Sequence, residues 1–172
     1  GIVRQSRGHI EFDTEVDEGT EFRVYLPMTG APAEPPRKKP KDSSPKGKET
    51  ILVVEDEDMV RSLAVRMLSS LNYKVIEARN GKDALDVCAH YKEHIDLVLS
   101  DVVMPHMSGP QFVERLRDMR KDFKVLYTSG FNEEQLFDQG AKDRSIQLLP
   151  KPYTREALAQ RVRQVIDGTI TA

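Results

Sequence analysis

Five short β-rich runs, 51–54, 74–78, 96–100, 124–128 and 146–149, alternate with stretches whose apolar residues recur at helical spacing. Val60, Ala64, Met67, Leu68 and Leu71 form the first stretch, and Ala84, Leu85, Val87 and Cys88 the second. Phe112, Val113, Leu116 and Met119 form another, and Leu158, Val162, Val165 and Ile166 the last. Connections of this length suit helical crossovers, so the strands run parallel under helices on both faces. A helix over 132–139 has the weakest pattern. Ser108 is placed to cap the third helix, with Pro110 in its first turn, and Thr154 to cap the last. Met67, Met119 and Cys88 read as core filler.

The alternation occupies residues 50–168 of a 172-residue chain, and charge divides the remainder. Residues 1–30 carry a net charge of -3, and residues 31–50 carry +3 with five of the ten prolines. The segment 31–49 has almost nothing to bury, so it reads as an extended, flexible linker. Its Arg37-Lys38-Lys39-Pro40-Lys41 run suits a solvated spacer better than a nucleic-acid contact. Within 1–30, Ile10–Val16 and Thr20–Leu26 alternate apolar and polar residues around the turn Asp17-Glu18-Gly19, the pattern of a β-hairpin. Gly1 to Arg7 reads as a helix end stopped by Gly8. Such a piece is too small to hold its own core, and its open edges suit mobility or pairing with a neighbouring chain.

Overall net charge is -2, which argues against nucleic-acid binding through bulk positive charge. No apolar run exceeds Ile51–Val54, far short of the roughly 20 residues that span a bilayer, and no signal-peptide pattern opens the sequence. Cys88 is the single cysteine, so the expectation is a cytoplasmic protein without an internal disulfide.

In a parallel sheet, sites collect at the carboxyl ends of the strands. Here those ends carry Glu55-Asp56-Glu57-Asp58, Ser100-Asp101, Thr128-Ser129 and Lys151-Pro152. Strand order 2-1-3-4-5 makes the first and third strands neighbours, so Glu55, Asp56 and Asp101 converge. Three carboxylates repel, and all-oxygen ligands suit Mg²⁺. Lys151 adds a positive charge opposite, completing surroundings for a phosphoryl group beside a nucleophilic carboxylate. Glu57 and Asp58 read as charge complementing a helix N-terminus.

These residues, with Leu99-Ser100-Asp101-Val102-Val103-Met104-Pro105, Gly109 and Tyr127-Thr128-Ser129-Gly130, make residues 50–168 resemble the receiver domain of bacterial two-component response regulators. The resemblance implies a flavodoxin-like (βα)5 fold and makes Asp101 the phosphoacceptor, attacking phosphohistidine in line. It implies Mg²⁺ held by Glu55, Asp56, Asp101 and the Val103 backbone carbonyl. Lys151 and the Thr128 hydroxyl would bind phosphoryl oxygens. A switch would couple Thr128 to Leu148, where the family often has an aromatic ring. By resemblance, Val103 and Gly130 occupy the positions that tune hydrolysis. Tyr153 matches a structural aromatic position. Residues 1–30 resemble the last strands of a histidine-kinase ATP-binding domain, through Gly1–Ile10 and Gly19–Pro27. Together the pieces resemble the C-terminal part of a hybrid sensor kinase, partnered by a histidine kinase or a His-phosphotransfer protein.

Other functions fit less well. An aspartate-nucleophile phosphatase resembles Asp-x-Asp-x-Thr, whereas Val102, Val103 and Met104 follow Asp101. A nucleotide binder needs a phosphate loop after the first strand, where four acids stand here. A degenerate receiver acting only as an interaction module conflicts with the intact Asp, Thr and Lys set, though Leu148 bears on its output. His90 and His94 have zinc-like spacing without a third ligand, and His9 reads as a surface or packing residue.

Overall fold

The computed structural model describes residues 2–28, 45–130 and 147–169, which form two units. In the first, one helical turn, α1 (Ile2–Gln5), precedes the antiparallel pair β1 (His9–Glu15) and β2 (Gly19–Tyr25). Both strands start one residue earlier than the alternation predicts. Asp17, at φ 67°, takes the left-handed position of the turn, and Gly19, at φ 107°, already opens β2. Ile10, Phe12, Phe22 and Val24 share one face, and Glu11, Asp13, Glu21 and Arg23 the other. Every residue of both strands is exposed.

The helix stop differs from the expectation. Arg7, not Gly8, is the left-handed residue, at φ 55°. The Arg7 N–H donates to the Arg4 carbonyl (2.9 Å) and the Gly8 N–H to the Val3 carbonyl (2.8 Å), a Schellman closure. Gly8 serves close approach instead, since a Cβ there would lie 2.5 Å from the Tyr25 carbonyl oxygen.

Most of the expected linker lies outside the described residues, as does the expected helix at 132–139. Its described end is tied to the second unit. The Gly47 N–H donates to the Leu71 carbonyl (3.0 Å), and Arg163 donates to the Glu49 carboxylate (2.6 Å).

The second unit runs β3 (Thr50–Val54), α2 (Asp58–Ser70), β4 (Lys74–Ala78), α3 (Gly81–His90), β5 (Leu97–Asp101), α4 (Gly109–Met119), β6 (Lys124–Ser129), β7 (Leu148–Pro150) and α5 (Arg155–Asp167). Its sheet is parallel throughout, in the order β4-β3-β5-β6-β7, which is the 2-1-3-4-5 order expected. Successive side chains of a strand point to opposite faces. Ile51, Val53 and Leu99 therefore pack with Leu68, Leu71, Leu158 and Val162 of the α2 and α5 side. Leu52, Val54 and Val98 pack with Ala84, Cys88, Phe112 and Leu116 of the α3 and α4 side. Each fully buried Val, Leu, Ile or Phe among these contributes roughly 1.5–3 kcal/mol.

Ser108 accepts from the Gln111 N–H while Gln111 accepts from the Ser108 N–H, a capping box that starts α4 beside Pro110. Thr154 accepts from the Ala157 N–H (3.2 Å) and starts α5. Cys88 lies in the α3 and α4 core, and Met67 packs against the α2 and α5 core on the other face. Met119 is not core filler: it is the last residue of α4 and is half-exposed, whereas Leu116 one turn earlier is fully buried. Among the described residues no helix is long and apolar enough to cross a membrane.

Candidate functional site

The sheet order places four chemically matched groups at one pole. Glu55 and Asp56 leave β3, and β3 pairs with β5 in register up to Val54 beside Ser100. Asp101 ends β5 and pairs with Thr128 of β6. Lys151 follows β7, where its N–H donates to the Ser129 carbonyl (2.7 Å). Carboxylate oxygens of Glu55, Asp56 and Asp101 lie within 4.8 Å of one another. The Lys151 Nζ donates to Glu55 Oε2 (2.7 Å) and Asp101 Oδ2 (2.8 Å). Glu55 is buried, Asp101 is partly buried and Asp56 is exposed.

One ammonium against three carboxylates leaves excess negative charge, and like charges 4 Å apart repel by about 4 kcal/mol at an effective dielectric of 20. Burial pushes the Glu55 carboxyl up; the Lys151 hydrogen bond opposes this, and Asp101 adds to it. For Lys151, burial acts downward, but the bonds to Asp101 and Glu55 outweigh it, so the ammonium is held above its ordinary value. The donor set is all oxygen, walled on one side by a buried carboxylate and open on the other at Asp56. That chemistry fits a small hard cation such as Mg²⁺, which keeps several waters.

The remaining predicted residues surround this cluster unequally. Thr128 is 2% exposed, in the strand next to Asp101. Val103 sits in the turn after β5, half-exposed, with its N–H 3.4 Å from Asp101 Oδ1. Gly130 lies on the rim past β6, where a Cβ would meet open space. Leu148 pairs with Tyr127 and packs into the α3 and α4 core. Burial lifts the Tyr127 phenol to about 12, so it stays neutral. Tyr153 packs against the opposite core, as a structural residue would.

None of the three histidines weighed in the sequence joins this carboxylate cluster. His90 Nδ1 bonds the Asp86 carbonyl (2.8 Å), His94 faces Asp96 (3.6 Å) and His9 stacks on Tyr25.

Three supporting roles escaped the sequence reading, which named Ser100 and Gly109 only as motif residues and Arg61 not at all. Ser100 donates to the Asp101 carbonyl (2.9 Å), fixing the strand end from within. Gly109 passes so close that a Cβ would stand 2.2 Å from that same oxygen. Arg61, buried in the first turn of α2, donates to the Glu55 carbonyl (2.9 Å). Its three-residue spacing from Asp58 was the available signal, since such pairs meet on a helix.

Comparison with known proteins agrees with this fold. Residues 51–163 match the model of the response regulator receiver domain. Sensor kinase CckA of Brucella abortus is 37% identical over 175 residues, 97% of this chain and 18% of that protein. Sensor histidine kinase RcsC of Escherichia coli is 35% identical over 130 residues, 69% of this chain and 13% of that protein. This chain thus spans less than a fifth of either kinase. The crystal structure of the receiver domain from hybrid histidine kinase CckA aligns with a TM-score of 0.57 at 37% identity, covering 68% of this chain and 98% of that one. Chemotaxis protein CheY4 of Vibrio cholerae aligns with a TM-score of 0.62 at 26% identity, covering 69% and 99%. From its matched residues and its fold, the chain belongs to the response regulator receiver domain family of two-component signalling.

Proposed function

We propose that the second unit accepts a phosphoryl group from phosphohistidine onto Asp101 and holds it as a signal or for onward transfer. The carrying observation is the convergence of Asp101, Glu55 and Asp56 under the Lys151 ammonium. An Asp101 carboxylate oxygen attacks phosphorus in line, the P–N bond breaks, and the imidazole departs with the bonding pair. Lys151 neutralises charge on the phosphoryl oxygens, and the Thr128 hydroxyl turns toward them once they arrive. Glu55, Asp56, Asp101 and the Val103 carbonyl are the groups that would hold Mg²⁺, which supplies charge neutralisation between attacking carboxylate and phosphoryl oxygens. Leu148 has no aromatic ring to swing inward, so the Thr128 movement is read out through repacking of an aliphatic side chain.

The first unit is read as the end of a histidine-kinase ATP-binding domain. Its apolar face is exposed, and the CckA match extends over 97% of this chain. The phosphodonor or acceptor is then a histidine kinase or a His-phosphotransfer protein in the cytoplasm.

Incubation with Mg²⁺ and a small phosphodonor, followed by mass measurement, tests this reading. The wild-type chain is expected to gain one phosphoryl mass, Asp101→Asn none, and Asp56→Asn the same mass more slowly. A phosphoryl gain by folded Asp101→Asn would overturn the assignment.

A further inference from the structure

Lys151 fixes two of the three converging carboxylates, Glu55 and Asp101. Asp56 is exposed, and no side chain among the described residues bonds its carboxylate, so its direction is set by backbone. That backbone is gripped. The Glu55 N–H donates to the Ala78 carbonyl at the end of β4 (3.2 Å). The Glu55 carbonyl, part of the peptide that carries Asp56, accepts from Arg61 Nη1 (2.9 Å).

Arg61 is 8% exposed, and arginine is seldom buried without partners. Its Nη2 binds the Asp58 carboxylate and its Nε lies 3.3 Å from Glu77 Oε2 on β4. The guanidinium therefore ties the loop 55–58 to both the helix that follows it and the strand beside it. We infer that Arg61 is a positioning residue for the divalent-cation site, aiming Asp56 through the Glu55 carbonyl; this rests on the function proposed above. With Asp58 and Glu77 balancing its charge, Arg61 acts through geometry. The two possible roles have opposite signs. Removing a positive charge near a cation site tightens cation binding, whereas releasing a ligand's support weakens it, commonly by about 10- to 100-fold.

The chain has no tryptophan, so binding is read by calorimetric titration of MgCl₂ into the full chain. Arg61→Gln and Arg61→Lys are both expected to weaken Mg²⁺ binding roughly tenfold. Phosphoryl uptake at saturating Mg²⁺ should stay near the wild-type rate, a split between affinity and plateau that general loss of structure does not produce. Asp58→Asn keeps the bond to the Glu55 carbonyl and should change affinity by less than about twofold. Glu77→Gln loosens only the Nε end of the guanidinium and should weaken binding by about two- to threefold. That variant decides the matter should the Arg61 variants not fold. Unchanged or tighter Mg²⁺ binding in folded Arg61→Gln, or unchanged binding in Glu77→Gln where the Arg61 variants are unfolded, overturns the inference. Failure of the wild-type chain to bind Mg²⁺ or to gain phosphate overturns the proposed function itself.

Discussion

The hairpin β1–β2 and the strand β3 are opposite extremes of one backbone conformation. All residues of the hairpin strands are exposed, including Phe12 at 72%, while all of β3 is buried. The difference is not only one of apolar content, which is richer in β3, since the hairpin's own apolar face of Ile10, Phe12, Phe22 and Val24 is exposed as well. It lies in layers. A strand buries its side chains only when something packs on its faces, and β3 has α2 and α5 on one side and α3 and α4 on the other. Apolar pattern sets which way a side chain points, and the surrounding elements set what that is worth.

Two phenylalanines put the contrast to its strongest test. Phe112 is fully buried in the α3 and α4 core, so Phe112→Ala should destabilise the receiver by about 3–5 kcal/mol in denaturant unfolding. Phe12 meets Phe22 across the hairpin, with ring centroids 6.2 Å apart, and is itself 72% exposed. Phe12→Ala should alter hairpin opening, read from amide exchange of β1 and β2, by about 1 kcal/mol or less. Comparable losses at both positions would break the contrast.

The same reasoning explains what the sequence disclosed. The strand–helix alternation follows from periodicity, and the caps at Ser108 and Thr154 from residue type. The convergence of Glu55, Asp56, Asp101 and Lys151 follows from where parallel strands end once the doubly wound order 2-1-3-4-5 is taken. Met119 sits at helical spacing like Leu116, but helical phase does not say how far along α4 burial extends. Gly8 carried a stop signal that belongs to Arg7, because a left-handed residue and a close-approach residue stood side by side. Ser100, Gly109 and Arg61 support the site through backbone carbonyls, and carbonyls leave no mark in a side-chain pattern.

Packed and open surroundings also meet within the site, and the next prediction uses that boundary. Glu55 and Thr128 form its buried floor, while Val103 and Gly130 lie on its exposed rim. Hydrolysis of an aspartyl phosphate requires a water aligned opposite the leaving carboxylate oxygen and oriented by a polar group. Val103 has no acceptor and Gly130 no side chain, so intrinsic hydrolysis should be slow. Gly130→Glu has open space to enter and should speed phosphate loss by roughly tenfold, about 1.4 kcal/mol of barrier, short of the roughly 10²–10⁴-fold that a fully positioned general base contributes. A time course after donor removal reads it. Rapid wild-type decay, or no change in the variant, would show that the rim does not control the water.

The smallest expected effect comes from two ion pairs of equal length. Arg23 and Glu21 on the hairpin, and Arg163 and Glu49 at the edge of the receiver, both stand at 2.6 Å. The side chains are 47% and 65% exposed in the first pair but 19% and 24% in the second. Water screens the hairpin pair, so Glu21→Gln should cost close to nothing, whereas Glu49→Gln should cost about 1 kcal/mol at neutral pH. Burial pushes the Glu49 carboxyl up, but the Arg163 hydrogen bond, the backbone N–H groups of Lys48 and Glu49 and the Arg163 charge together more than reverse this and hold it below its ordinary value of 4.5. The native state therefore binds fewer protons than the unfolded chain in the window below 4.5, and the Glu49 contribution is lost as pH falls through it. The stability gap between wild type and Glu49→Gln should accordingly be constant above the ordinary carboxylate range and shrink below it. A gap that persists on acidification would mean that Glu49 stabilises through packing rather than charge, and that the two pairs differ in something other than their exposure to water.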